Sequence, residues 1–433
     1  MTEIESYKQA IDFLYDATPQ FQRIGAAAYK PGLESTMLLD NLFGNPHRKF
    51  RSIHIGGTNG KGSTAHTIAA VLQSAGMKVG LYTSPHLVDF RERIRVNGEK
   101  ISKEGVMDFL NRFIDMKVAT PLSFFELTTI MAFDYFAESK VDVAVIEVGL
   151  GGRLDCTNII TPEISVITNI SRDHVAQLGY ELTSIAEEKA GIFKPGIPAV
   201  VGEAEGEVRD VFVSRARKIS SPLRFAEPLA TDGIYDDRII YPLTPFGRIE
   251  GELTGDCQPK NAATICAALQ TLVENGWNIP AEAVRKGFAN VVELTSLAGR
   301  WMKLGWNPLI VADTGHNEGG WKYLASRLES YGDRLHVVIG FVNDKDVTTI
   351  LGMLPRQARY YFTNAAIPRA LNAQELYAKG IAAGLSGEAY PSVGAALDAA
   401  RKGTSPDDVI FVGGSTFIVA DLLRLKEFGG EEE

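Results

Sequence analysis

Cysteine is scarce in this chain: three in 433 residues, Cys156, Cys257 and Cys266, an odd number with no CxxC pair among them. That count does not fit a disulfide framework or a cysteine zinc site, and it suits a reducing compartment. A basic excess is also missing. Lys and Arg total 44 against 53 Asp and Glu, a formal charge of -9, which argues against a nucleic-acid-binding surface. Small anionic ligands stay open, because a local basic site can sit on an acidic protein. No stretch approaches the ~20 apolar residues needed to cross a bilayer. The opening Met1-Thr2-Glu3-Ile4-Glu5 has neither the basic start nor the apolar run of a signal peptide, so the expected location is the cytoplasm. There is no internal repeat. The only low-complexity tract is Glu431-Glu432-Glu433, read as a solvated tail.

What is present is the balance of a globular enzyme, with 45% apolar and 22% charged residues, in a chain long enough for two domains. Residues 5–17 and Leu33 to Phe43 have helical periodicity. Ser52 to Ile55 is an apolar strand feeding a glycine-rich turn, and Thr64 to Ala75 follows as a helix stopped by Gly76. Val79 to Tyr82 is a second strand, and Arg93 to Ile101 a hairpin turning at Asn97-Gly98. Helices are expected over 102–116 and 123–139, then strands over Val141 to Val148 and Ile164 to Thr168. A helix follows at 184–192, with Ser184 and Glu187 at capping-box spacing. Further strands at Leu309 to Ala312, 335–339, 358–362 and 408–412 alternate with helices. The pattern predicts an α/β protein: an N-terminal domain, 1–296, on a mostly parallel sheet of P-loop type, and a smaller Rossmann-like α/β domain, 297–433.

The decisive local feature is Gly56-Gly57-Thr58-Asn59-Gly60-Lys61-Gly62-Ser63, between a strand and a helix. Glycines let the backbone turn so that successive N–H groups face phosphate oxygens. The helix N-terminus adds partial positive charge, and Lys61 can reach the β- and γ-phosphates. The spacing departs from the standard P-loop: three residues separate the framing glycines, and Gly62 stands between Lys61 and Ser63. Downstream, Glu147 ends an apolar strand before Gly149-Leu150-Gly151-Gly152-Arg153-Leu154-Asp155. A carboxylate there can hold Mg²⁺ against phosphates, although a lone strand-end glutamate more often just faces water.

Gly-Thr-Asn-Gly-Lys-Gly-Ser resembles the loop of the Mur-ligase superfamily, and more narrowly that of folylpolyglutamate and dihydrofolate synthases. The resemblance runs from about Gly32 to the last helix, through Glu147-Val148-Gly149-Leu150-Gly151-Gly152-Arg153-Leu154-Asp155-Cys156 (where the family has Ala at Cys156) and Asp173-His174. It implies an ATP-dependent enzyme joining L-glutamate to a folate-type carboxylate through an acyl phosphate, with dihydropteroate and reduced folates both as acceptors. The implied catalytic residues are Lys61, Lys189, His174 and Glu147. Two Mg²⁺ ions would be held by Ser84, Glu147 and His174, and Lys189 would be carbamylated. Asn59, Gly60, Lys61, Gly62, Ser63, Asn261, Arg300, Asp313 and His316 would bind ATP, with Asn261 reaching adenine across a cleft. Ser123, Phe124, Phe125, Glu126, Leu154, Asp155 and Cys156 would hold the pterin, and Ser84 to Arg95 would cover it. Ala298 replaces the family's proline before Gly299-Arg300, and Thr314-Gly315 replaces Gly-Ala before His316-Asn317. Asp344-Lys345-Asp346 and Gly413-Gly414-Ser415 also match family segments. Members of the family suggest a monomer. A synthase limited to folylpolyglutamates, a peptidoglycan-type Mur ligase and a GTP-binding switch are the alternatives. The last is disfavoured because Asn343-Asp344-Lys345-Asp346 is not the guanine-reading Asn-Lys-x-Asp.

Overall fold

The computed structural model describes residues 3–16, 32–343 and 347–428; the segment Asp344-Lys345-Asp346 and the acidic tail lie outside them. The described residues fall into two compact units. One holds the chain up to His86 with Phe90–Thr254 and Gln258–Leu297; the other holds Leu87–Asp89, Gly255–Cys257 and the chain from Ala298.

In the first unit the strands are β1 (Arg51–Gly56), β2 (Val79–Tyr82), β3 (Ile94–Val96), β4 (Glu99–Lys100), β5 (Val143–Glu147), β6 (Ile164–Asn169), β7 (Ala199–Glu203) and β8 (Leu223–Phe225). They form one sheet in the order β4-β3-β2-β5-β1-β6-β7-β8. Every pairing from β2 through β8 is parallel, and β3 and β4 close one edge antiparallel. The turn between them is the expected Asn97-Gly98, with φ of 48° and 82°, the left-handed pair that a two-residue hairpin loop requires.

Strand alternation sorts the apolar residues onto two faces. Val143 and Val145 of β5 join Ile53, Ile55, Ile68 and Leu269 on one side. Ala144 and Ile146 join Tyr82, Phe133 and Phe136 on the other. Helices Lys61–Ser74 and Gln258–Glu274 cover the first face, and Phe124–Glu138 the second. Burial on both faces is why β5 reads as a continuous apolar run. A separate antiparallel sheet, β9 (Gly233–Tyr235), β10 (Arg238–Tyr241) and β11 (Ile249–Gly251), ordered β11-β10-β9, was not anticipated.

Two helix starts differ from expectation. The helix after β1 begins at Lys61, three residues earlier than Thr64, because Gly60 takes φ 82° as its N-cap. The capping box predicted at Ser184 is absent. That helix spans Leu182–Ala190 with Glu181 at its N-cap, so Ser184 lies inside the first turn. The reciprocal box stands instead at Ser123 and Glu126.

The second unit is a sheet of β12 (Met302–Trp306), β13 (Leu309–Asp313), β14 (Leu335–Ile339), β15 (Arg359–Phe362), β16 (Ser386–Ala389) and β17 (Val409–Gly413), ordered β12-β13-β17-β14-β15-β16. Only β12 runs antiparallel to its neighbour. Val337, Ile339 and Phe411 face Trp321 and Leu328 on one side, while Val338, Ile410 and Val412 face Leu397 and Ile418 on the other.

His54 of β1 is fully buried, its Nε2 lying 2.8 Å from the Thr157 hydroxyl. Burial, helped by the charge of Lys194, lowers its pKa to about 3. In the unfolded chain it would take up a proton near 6.5. The neutral buried form therefore contributes fully above about pH 6.5, and the contribution is lost as pH falls from there toward 3. In His54→Asn, the drop in unfolding free energy between pH 7 and 4.5 should shrink by about 2–3 kcal/mol. Urea unfolding at the two pH values checks this, and an unchanged drop would contradict it.

Candidate active site

β2, β5, β1 and β6 lie side by side and parallel, so their C-terminal ends open onto one edge. That edge is where open α/β sheets take ligands. β1 leaves it through Gly56 into the glycine loop, β2 through Thr83-Ser84, β5 through Glu147, and β6 through Asn169 toward Asp173-His174.

The loop turns on Gly57 and Gly60, at φ 133° and 82°, values that side chains beyond Cα resist. Lys61 begins the helix, and its Nζ donates to Thr58 O at 3.0 Å, folding over the loop. The first-turn N–H groups of Lys61, Gly62 and Ser63 have no intrahelical acceptor and suit anionic oxygens. Asn261 packs directly against Gly60, donates to Gln258 Oε1 at 3.0 Å and so sits in the same unit as the loop, beside it. Gln258 Nε2 in turn donates to Ser63 Oγ at 3.4 Å. Asn59, Gly60, Lys61, Gly62, Ser63 and Asn261 are thus brought together.

Lys189 is buried at this edge, its Nζ donating to Gly57 O at 2.8 Å. Its pKa is lowered to about 7, first by burial and then by the charge of Lys61, with Asp173 and Asp155 opposing. Glu147 is also buried, and its Oε2 accepts the Ser84 N–H at 3.0 Å, tying the ends of β5 and β2. His174 takes a left-handed φ of 51°; its N–H donates to Asp173 Oδ1 at 2.9 Å, and its Nε2 lies 4.0 Å from that oxygen. Among the described residues there is no group of three or more His, Cys, Asp or Glu arranged to hold a metal. A buried carboxylate beside a serine fits a hard cation whose remaining ligands come from phosphate or water.

On the opposite face of the sheet an aromatic wall adjoins this edge. Phe124 packs near Tyr15 and Phe90, with centroids 6.0 and 5.9 Å away, and the Arg93 guanidinium lies 5.1 Å from its ring. Phe125 stands 5.9 Å from Tyr82 and rests on Gly149, where no side chain would fit. Arg93 Nε donates to His86 Nδ1 at 2.8 Å, which leaves the His86 proton on Nε2, 3.4 Å from the Tyr15 hydroxyl. Ser123 and Glu126 are occupied in the capping box, and Glu126 Oε1 also accepts from the Ser35 hydroxyl. Asp155 is buried and turns inward: its oxygens accept the N–H groups of Leu150 at 2.8 Å and Thr157 at 3.0 Å. It therefore shapes the glycine-rich turn after β5. Cys156 is buried, and burial raises its thiol pKa well above the usual range, so it is not a nucleophile. Leu154 is half-buried.

In the second unit Arg300, Asp313 and His316 come together around Thr314. Asp313 accepts Trp301 N–H and Gly315 N–H, each at 2.8 Å. Arg300 Nη1 donates to the Thr314 hydroxyl, which donates to Gly299 O at 3.1 Å. His316 Nδ1 lies 3.0 Å from Thr314 O. Thr314 thus links the loop that lacks a proline to the loop that gained a hydroxyl. Sequence reading gave no role to Tyr82, Tyr15, Thr168 and Asn169, and noted Thr314 only as a departure from the family pattern.

A two-unit α/β chain with a glycine loop, a buried helix lysine bonded to that loop and a buried carboxylate at a neighbouring strand end defines an ATP-dependent ligase of the Mur type. The models for the Mur ligase middle domain and the Mur ligase glutamate ligase domain match residues 55–218 and 299–416. The chain is 33% identical over 421 residues to a dihydrofolate synthase/folylpolyglutamate synthase of Bacillus subtilis, covering 91% of this chain and 95% of that one. It is 35% identical to a probable bifunctional folylpolyglutamate synthase/dihydropteroate synthase of Haloferax volcanii, covering 96% of this chain but spanning only 50% of that protein. Its structure resembles that of E. coli FolC in complex with DHPP and ADP (TM-score 0.86, 28% identity, 99% of both chains). It also resembles a bifunctional folylpolyglutamate synthase/dihydrofolate synthase with Mn, AMPPNP and L-glutamate bound (TM-score 0.80, 29% identity, 97% of both chains). The chain belongs to the dihydrofolate synthase/folylpolyglutamate synthase family. Among the described residues, no helix is long and apolar enough to cross a membrane.

Proposed function

We propose that this enzyme joins L-glutamate to the free carboxylate of both dihydropteroate and reduced folates, using ATP. The observation that carries the reading is the meeting of the glycine loop, Lys189 and Glu147 at one sheet edge, with the Phe124–Phe125 wall adjoining. An acceptor carboxylate oxygen attacks the γ-phosphorus and ADP leaves. The glutamate amine then attacks the acyl carbon, phosphate departs, and the amine proton is released. Lys61 and the first-turn N–H groups steady the phosphate charge through the first step. Arg300 adds charge at phosphate, Asp313 and His316 hold the nucleotide, and Asn261 meets adenine. Phe124, Phe125 and Leu154 flank the pterin ring, for which aromatic faces are suited. Ser123, Glu126, Asp155 and Cys156 complete the set that holds the pterin.

Ser84, Glu147 and His174 would hold divalent cations, two in number, which when bound neutralise phosphate charge. Lys189 carries a carbamate in the working enzyme. The enzyme is a monomer, as the family resemblance suggests, and cytoplasmic, in keeping with an odd count of cysteines and no CxxC pair. ADP release with ATP, Mg²⁺ and L-glutamate should occur with dihydropteroate and, separately, with tetrahydrofolate. Release with tetrahydrofolate alone would reduce the enzyme to a polyglutamate synthase, and silence with both would overturn the reading.

A further inference from the structure

We infer that the end of β6, Thr168 and Asn169, is a template that sets the shape of the phosphate loop, making both positioning residues for nucleotide binding. This rests on the reading of Gly56–Ser63 as the ATP loop. Asn169 grips the loop twice. Its main-chain oxygen accepts the Thr58 N–H at 3.0 Å, and its side-chain Oδ1 accepts the Asn59 N–H at 2.9 Å. The Thr168 hydroxyl donates to Asn59 O at 2.6 Å and occupies the space where Gly57 would carry a side chain. One turn further, Ser171 N–H donates to the Thr58 hydroxyl at 3.1 Å, and that hydroxyl donates back to Ser171 O at 3.1 Å.

The consequence is a division of the loop's donors. Thr58 and Asn59 spend their N–H groups on β6, and Asn59 O is held as well. The turn then passes through Gly60, at φ 82°, into a helix whose first N–H groups, those of Lys61, Gly62 and Ser63, have no intrahelical acceptor and suit anionic oxygens. A phosphate site formed in advance does not have to order its loop on binding. Neither residue needs to touch the nucleotide.

The test is ADP affinity by calorimetry in four variants, with steady-state KM values beside it. Asn169→Ala and Thr168→Val should each weaken ADP binding and raise the KM for ATP about tenfold, the scale of one lost hydrogen bond to a buried partner. The KM for L-glutamate should stay within about twofold. Thr168→Ser keeps the hydroxyl and should recover most of the affinity lost in Thr168→Val. Asn169→Asp keeps the acceptor but brings a negative charge near the phosphates, so its deficit should deepen at low salt. If Asn169→Ala does not fold, the Thr168 pair decides. ADP affinity within twofold of the unmodified enzyme in Thr168→Val overturns the inference, as does an equal rise in all KM values. An unmodified enzyme that binds no ADP would instead overturn the loop assignment itself.

Discussion

Lys61→Ala should lose at least about a thousandfold in kcat, the scale of removing a charge aimed at a transferring phosphoryl group. The fold should survive it. Lys61 is half-buried and makes one backbone hydrogen bond, to Thr58 O, so its truncation is worth about 1 kcal/mol of stability and a few degrees of melting temperature. The loss should also reach Lys189. The Lys61 charge is one of the causes that lower the Lys189 pKa, after burial; without it the Lys189 ammonium becomes easier to keep. Lys61→Met, equally uncharged, should behave alike, while Lys61→Arg should keep some nucleotide affinity without restoring rate. Coupled ADP release and a thermal melt measure both sides. Turnover within tenfold of the unmodified enzyme would sink the role given to Lys61.

Lys189→Ala should cost at least about a hundredfold in kcat, for a different reason. A buried lysine that titrates at about 7 is roughly half neutral at that pH, where an ordinary lysine is neutral in fewer than about one molecule per thousand. A neutral amine adds to carbon dioxide, forming an N–C bond and releasing a proton, so that a cation would be replaced by an anion beside the glycine loop. As pH falls below about 7 the amine protonates and the proposed carbamate should be lost, whereas above it the carbamate should persist. Enzyme equilibrated with ¹³C-bicarbonate should show one carbamate carbon resonance, absent from Lys189→Ala and fading below pH 7. Added acetate should partly restore Lys189→Ala. An unmodified enzyme with no such resonance, and with activity indifferent to carbon dioxide removal, would rule the carbamate out.

The parts legible in the sequence were those with local rules. Asn97-Gly98 announces its hairpin because both turn residues need φ above zero, and β5 shows itself as an apolar run because both faces are covered. The glycine loop was visible through residues that no ordinary turn requires together. What stayed hidden depends on partners distant in sequence. β12 and β16 are edge strands only partly buried, so neither has an apolar run to read. The β9–β11 sheet is short and exposed at β9. Ser184 and Glu187 have box spacing, but the helix begins at Leu182, a start that spacing does not encode. Asp155 carries a site motif and yet spends its oxygens on the neighbouring turn. Asn169 is an unremarked strand-end asparagine until β1 and β6 are paired in register.

The strand order carries a practical consequence. β1 and β6 deliver the glycine loop and its template, whereas β2 and β5 deliver Ser84, Glu147 and the turn that abuts the aromatic wall. The two jobs sit on neighbouring halves of one edge, with Glu147 at the seam. Grafting the turn after β5 from a relative with another appetite, together with the start of helix Phe124–Glu138 and with Ser84 and Glu147 kept, should therefore exchange what is glutamylated while the phosphate machinery is left uncut.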